Sequence, residues 1–162
     1  MISLEMVSIQ VNPKITPDQL FSFYQKNNIC EIGFGKETAS KVLDHSSLIV
    51  AAFEKEELVG IARAMFDGLS AAIMEFCVAL KYQGENLKYK NGSLIEKDPY
   101  NLGGEIGRIL IVELYKIGAT FISYYIVENC EEGFYQSLGF EHNYGHLVYY
   151  IDRRPYVTEG SG

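Results

Sequence analysis

A chain of 162 residues with 48% hydrophobic and 22% charged side chains has the composition of one globular domain, and excludes a disordered or low-complexity protein. The net charge of −7, from 14 Lys and Arg against 21 Asp and Glu, excludes a general nucleic-acid binder and favours a cationic partner such as an amine. Cys30, Cys77 and Cys130 are far apart and form no Cys-x-x-Cys pair, which argues against a disulfide framework or zinc site and for a reducing compartment.

Residues 4–11 alternate apolar and polar and predict a strand. Thr16 reads as an N-cap with Pro17 at the first helical position and Gln19 three residues after the cap. Leu20, Phe21, Tyr24 and Ile29 supply that helix with an apolar stripe, and a second short helix is expected over 36–44, after Gly33-Phe34-Gly35. Three strand-like runs follow, 48–53, 58–66 and 71–80. They are separated by Glu54-Lys55-Glu56-Glu57 and Asp67-Gly68, connections short enough to require antiparallel pairing. Residues 85–102 are polar and aperiodic and contain Asn91-Gly92 and Asp98-Pro99, the marks of an inserted loop. Ile106, Ile109, Leu110, Leu114 and Ile117 lie on one face of a helix that starts at Gly103 and stops at Gly118. A strand over 120–127, a short helix ending Tyr135-Gln136-Ser137-Leu138-Gly139-Phe140 and a last strand over 147–151 complete the order. The strand–helix–strand around Gly103 to Val127 demands a right-handed parallel crossover. The expected organisation is a single domain over 1–157 with a frayed tail at 158–162. The start, Met1-Ile2-Ser3-Leu4-Glu5, lacks the features of a signal peptide, and no run reaches the roughly 20 apolar residues of a membrane span, so a cytoplasmic protein without a membrane partner is expected.

Gly103-Gly104-Glu105-Ile106-Gly107 before a helix offers backbone N–H groups and a positive dipole end suited to phosphate, or is simply a turn. It is neither a Walker loop nor a dinucleotide fingerprint. Glu75 is the one charge in the apolar run 71–80, where partial desolvation suits a general base; the alternative is a solvent-facing residue or a partner for Arg63. His142 and His146 flank a turn and give no metal set, so no metal is expected, and His45 reads as a helix C-terminal residue. Tyr144, Tyr149, Tyr150 and Tyr156 read as sheet packing, with an edge-strand homodimer left open.

In their order and spacing, Val78-Ala79-Leu80-Lys81-Tyr82-Gln83-Gly84, then Gly104-Glu105-Ile106-Gly107-Arg108-Ile109-Leu110, then Tyr135 to Phe140, resemble the GNAT superfamily of acyl-CoA-dependent N-acyltransferases. The likeness extends over about residues 4–152, with Val59-Gly60 and Met65-Phe66-Asp67-Gly68 resembling the family's third strand and hairpin. It implies an α/β (α+β) fold: a mixed, mostly antiparallel sheet of six to seven strands with helices on both faces. It also implies direct transfer of an acetyl (acyl) group from acetyl-CoA to a primary amine of a small molecule or peptide. By the same likeness, Tyr135 is the general acid for the departing thiolate, and the N–H groups of Val78 and Leu80 hold the pantetheine. The amides of Gly103, Gly104, Ile106, Gly107 and Arg108 hold the pyrophosphate, and Asn129, or Glu128 beside it, lies near the family's CoA-contacting asparagine. Two features depart from the pattern. Residues 85–102 split the pyrophosphate loop, and Glu105 replaces a glycine, pointing outward as a first-turn acid or altering the cofactor site. A non-catalytic acyl-CoA-binding or sensing domain is the alternative function, and an unrelated interaction module a third.

Overall fold

The computed structural model describes residues 4–29 and 35–154; Cys30, Gly33-Phe34, Tyr156 and the tail from Thr158 lie outside the described residues. Strands β1 (Val7–Val11), β2 (Leu48–Glu54), β3 (Glu57–Phe66) and β4 (Ser70–Val78) form an antiparallel meander in chain order. The turns expected from the sequence close it. Lys55 and Gly68 take positive φ, and the Asp67 carboxylate accepts hydrogen bonds from the N–H groups of Leu69 and Ser70 at 2.9 and 2.8 Å.

β2 is a continuous buried apolar run in a sheet that helices cover on both faces. On one face lies α1 (Pro17–Lys26), which packs against β3 and buries Leu20, Phe23 and Tyr24. Its capping box forms as the sequence predicts: the Gln19 N–H donates to Thr16 Oγ1 at 3.0 Å, and the Thr16 N–H donates to Gln19 Oε1 at 2.9 Å. α2 (Gly35–His45) packs against α1. On the opposite face α3 (Leu102–Lys116) lies against β2 and β3 and buries Ile106, Leu110 and Leu114. Gly60 lets α3 approach, since a Cβ there would lie 2.6 Å from Ile106 Cδ1. At its far end Gly118, at φ +108°, lets the Ala119 N–H return to the Leu114 carbonyl.

One residue shapes the functional end of the sheet. Arg63 pairs with Glu75 but Ala64 with Ile73, so Met74 is an extra residue in β4. Such a bulge bends a strand and reverses its alternation. Ile73 therefore shares the α3 face with Ala64, whereas Glu75 and Cys77 turn toward α1 with Arg63. β5 (Phe121–Ser123) pairs parallel with β4, as the crossover required, but only along Ser70–Ala72. Beyond the bulge the two strands part. α4 (Glu132–Ser137) follows, closed by Gly139 at φ +101°.

The sheet has five strands among the described residues, where six to seven were expected. The run 120–127 gives a ladder of three residues, because β5 diverges and the Val127 N–H donates to Glu131 Oε2 at 3.1 Å, not to a strand. Leu147–Ile151 forms no strand: no neighbour pairs with it, and its side chains are 63–91% exposed. Among the described residues no helix is long and apolar enough to cross a membrane.

Candidate functional site

The parting of β4 and β5 creates a fork, and α4 sets Tyr135 at its base. The Tyr135 side chain is 2% exposed, walled by the rings of Phe134, Tyr124, Phe140 and Phe76 at centroid distances of 5.0, 5.5, 5.8 and 5.9 Å. Its hydroxyl meets no partner at hydrogen-bond geometry among the described residues, although the Tyr124 side chain lies close enough to act on it. Burial, then Tyr124 and Glu131, push its pKa far above the ordinary phenol range, so Tyr135 holds its proton at Oη at all physiological pH values. A buried hydroxyl without a partner is rare, because it forfeits the bond it makes in water. Gly107 of α3 helps set this base, since a Cβ there would lie 2.6 Å from Leu138 Cδ1 and 3.3 Å from Phe76 Cε2.

On the α1 side of β4 lies a buried polar cluster. Glu75, 6% exposed, accepts from the Tyr24 hydroxyl at Oε2 (2.6 Å) and from Arg63 Nε at Oε1 (3.1 Å). The bulge at Met74 is what turns Glu75 toward Tyr24. Burial, then Glu75 and Cys77, raise the Tyr24 pKa far above the phenol range. The buried Cys77 thiol, two residues on from Glu75, raises the Tyr135 pKa as well as that of Tyr24.

The backbone groups singled out from the sequence are engaged within the chain. Ala79 N–H donates to Val59 of β3, so the Val78 N–H faces the fork, where it donates to the Gly92 carbonyl at 2.9 Å. The Leu80 N–H donates to Asn27 Oδ1, also at 2.9 Å. At the α3 tip the Gly103 and Gly104 N–H groups donate to the two oxygens of Asp98 at 2.9 and 2.8 Å. Ile106, Gly107 and Arg108 lie inside α3, where each N–H belongs to the carbonyl four residues back and only first-turn amides are open to a ligand. Glu105 turns outward onto Arg108 (2.9 Å), as a first-turn acid. Asn129 sits exposed with φ +62° before α4, its N–H donating to Glu132. Four residues that sequence reasoning missed, Asn27, Gly92, Asp98 and Glu131, organise this region. Asp98-Pro99 and Asn91-Gly92 were visible as turn dipeptides, but nothing local indicated what those turns would touch.

No family model and no curated protein matches the chain. Solved structures do. A probable acetyltransferase from methicillin-resistant Staphylococcus aureus is 18% identical, with 91% of this chain and 99% of that one covered and a TM-score of 0.70. A GNAT-family acetyltransferase from Streptococcus pneumoniae is 21% identical, with 92% and 100% covered and a TM-score of 0.64. The fold is that of the GNAT acetyltransferases. A third structure, AAC(6′)-Iy in complex with the bisubstrate analogue CoA-S-monomethyl-acetylneamine, is 11% identical over 91% of this chain and 99% of that one, with a TM-score of 0.63.

Proposed function

We propose that the chain transfers an acyl group, in the simplest case acetyl, from acyl-CoA to the primary amine of a small molecule or peptide. The observation that carries this reading is the unpartnered Tyr135 hydroxyl at the base of the β4–β5 fork, in a chain with the GNAT fold. Bound acyl-CoA supplies the activated acyl group. A buried phenol that holds its proton at Oη suits the protonation of a leaving thiolate, and adds no permanent charge to an apolar site. Glu75 Oε2, reached through the Tyr24 hydroxyl, is the acceptor proposed for the proton that an ammonium must lose before it can attack. The reacting end of the site thus fits the group. The nucleotide end does not fit in this conformation: the Gly103 and Gly104 amides, suited to pyrophosphate, already hold Asp98, and Val78 holds Gly92.

The same mismatch favours a second reading, a domain that binds acyl-CoA without turnover. Incubating the protein with acetyl-CoA and a panel of primary amines, and following free thiol together with acetylated product by mass, separates the two. Transfer to any amine supports the enzyme, and CoA binding with no product for any amine supports the sensor.

A further inference from the structure

Residues 85–102 do not hang away from the fold as an inserted loop would; they run across the mouth of the fork and are anchored on every side. Gly92 is wedged between β4 and the end of α1, its carbonyl accepting from Val78 and its N–H donating to the Asn27 carbonyl at 2.8 Å. A Cβ at this position would lie 2.9 Å from Asn27 Cβ and 3.2 Å from the Val78 carbonyl oxygen. Ile95 is fully buried, and its N–H donates to Glu131 Oε1 at 3.0 Å while Glu131 Oε2 takes the Val127 N–H. Glu131 thereby ties the segment to the chain leaving β5. Gln83 ties it to β4, donating to the Val78 carbonyl and accepting from the Glu96 N–H, both at 3.0 Å. The Glu96 carboxylate gathers the N–H groups of Lys88, Tyr89 and Lys90, which folds the segment on itself. Asp98 then ends the run by placing a carboxylate on the two first-turn amides of α3.

We infer that residues 85–102 are a closing strap, with Asp98 as the chain's own anion at the helix tip, and that acyl-CoA enters the fork only when the strap lifts. This rests on the acyl-CoA reading above. Two independent contacts carry it, since Asp98 removes the diphosphate's donors and adds a like charge, while Gly92 occupies the edge of β4 that an extended pantetheine would need. Gly84 (φ +94°) and Asn101 (φ +59°) turn the chain at the two ends of the segment. Closure of this kind weakens apparent affinity by the fraction of molecules that are open.

The test is calorimetric titration of the full chain with coenzyme A, comparing wild type, Asp98→Ala and Asp98→Asn, with thermal unfolding as the check on folding. Asp98→Asn keeps the shape and one acceptor oxygen, so it retains the α3 tip. The expected result is at least tenfold tighter binding to Asp98→Ala, with Asp98→Asn intermediate. A second measurement on wild type, amide hydrogen exchange at saturating coenzyme A, is expected to show lost protection over residues 92–98. Equal or weaker binding by both variants, including no binding by any of the three, overturns the strap; so does full protection of 92–98 in the CoA-bound protein. Failure of the transferase reading looks different, as coenzyme A binding that tightens on mutation while no amine is ever acetylated.

Discussion

Tyr135→Phe removes one oxygen atom from the base of the fork and keeps every ring contact. The hydroxyl is buried without a partner, and a group in that state costs about 1–3 kcal/mol of stability. The variant is therefore expected to be more stable than wild type by about 1–3 kcal/mol. For a chain of this size each kcal/mol raises Tm by roughly 2–4 °C. Urea denaturation followed by circular dichroism reads the first quantity, and scanning calorimetry the second. On the proposed function the same substitution lowers turnover by about 10²–10⁴-fold, the usual worth of a positioned general acid, with little change in CoA affinity. Stability and rate thus move in opposite directions, as expected where a site holds a strained group for chemistry. A fall in stability on losing the hydroxyl would refute the reasoning, because it would mean that the group has a partner; an unchanged rate would remove Tyr135 from the chemistry.

Arg63→Met leaves the Glu75 carboxylate buried without the guanidinium at 3.1 Å, and breaking a buried pair of this kind costs about 3–5 kcal/mol, measured by denaturant unfolding; a loss below about 1 kcal/mol would place the pair with surface ion pairs. Glu131 gives a pH signature. Burial raises its folded-state pKa despite the N–H groups of Ile95 and Val127, so its contribution to stability is complete below the ordinary glutamate value of about 4.3 and is lost as pH rises through the higher folded value. The stability of wild type relative to Glu131→Gln should accordingly grow as pH falls from neutral into the acid range in paired denaturation series, and a pH-independent difference would contradict this account.

What was legible in the sequence was local chemistry. The Thr16 cap with Gln19, the turns at Lys55 and Gly68, the α3 stripe from Ile106 to Leu114 with its stop at Gly118 and the Tyr135-to-Phe140 corner each depend on residues a few positions apart, and each is present as read. Ile117, read onto the same stripe, is instead the exposed C-cap. What was not legible depends on distant partners. An alternation pattern has no symbol for a bulge, so Met74 and the face it assigns to Glu75 could not be read. The strand pattern of 120–127 was correct in composition, yet where β5 leaves β4 is set by pairing and not by propensity. Leu147–Ile151 shows the converse, strand-like residues with no neighbouring strand to pair with. Within the site, Glu105 stood out because it breaks a motif, and it proves to be an ordinary partner of Arg108. Asp98, in an aperiodic polar stretch, is the carboxylate that reaches the helix tip.

The extra residue in β4 has a consequence for how this sequence can vary. Removing Met74 would leave Glu75 directly after Ile73, still opposite Arg63, so every side chain of the half-strand would keep its layer and only the bend would be lost. A single residue inserted between Met74 and Glu75 would instead take the place opposite Arg63 and exchange the two sides of everything that follows. Glu75 and Cys77 would then face the greasy underside of α3, and Phe76 and Val78 would turn toward α1. Most substitutions in this strand disturb one neighbour, whereas that insertion would put every side chain of the half-strand in the wrong layer at once. It should therefore be tolerated far worse than loss of Met74 or insertions in the connections at either end of β4.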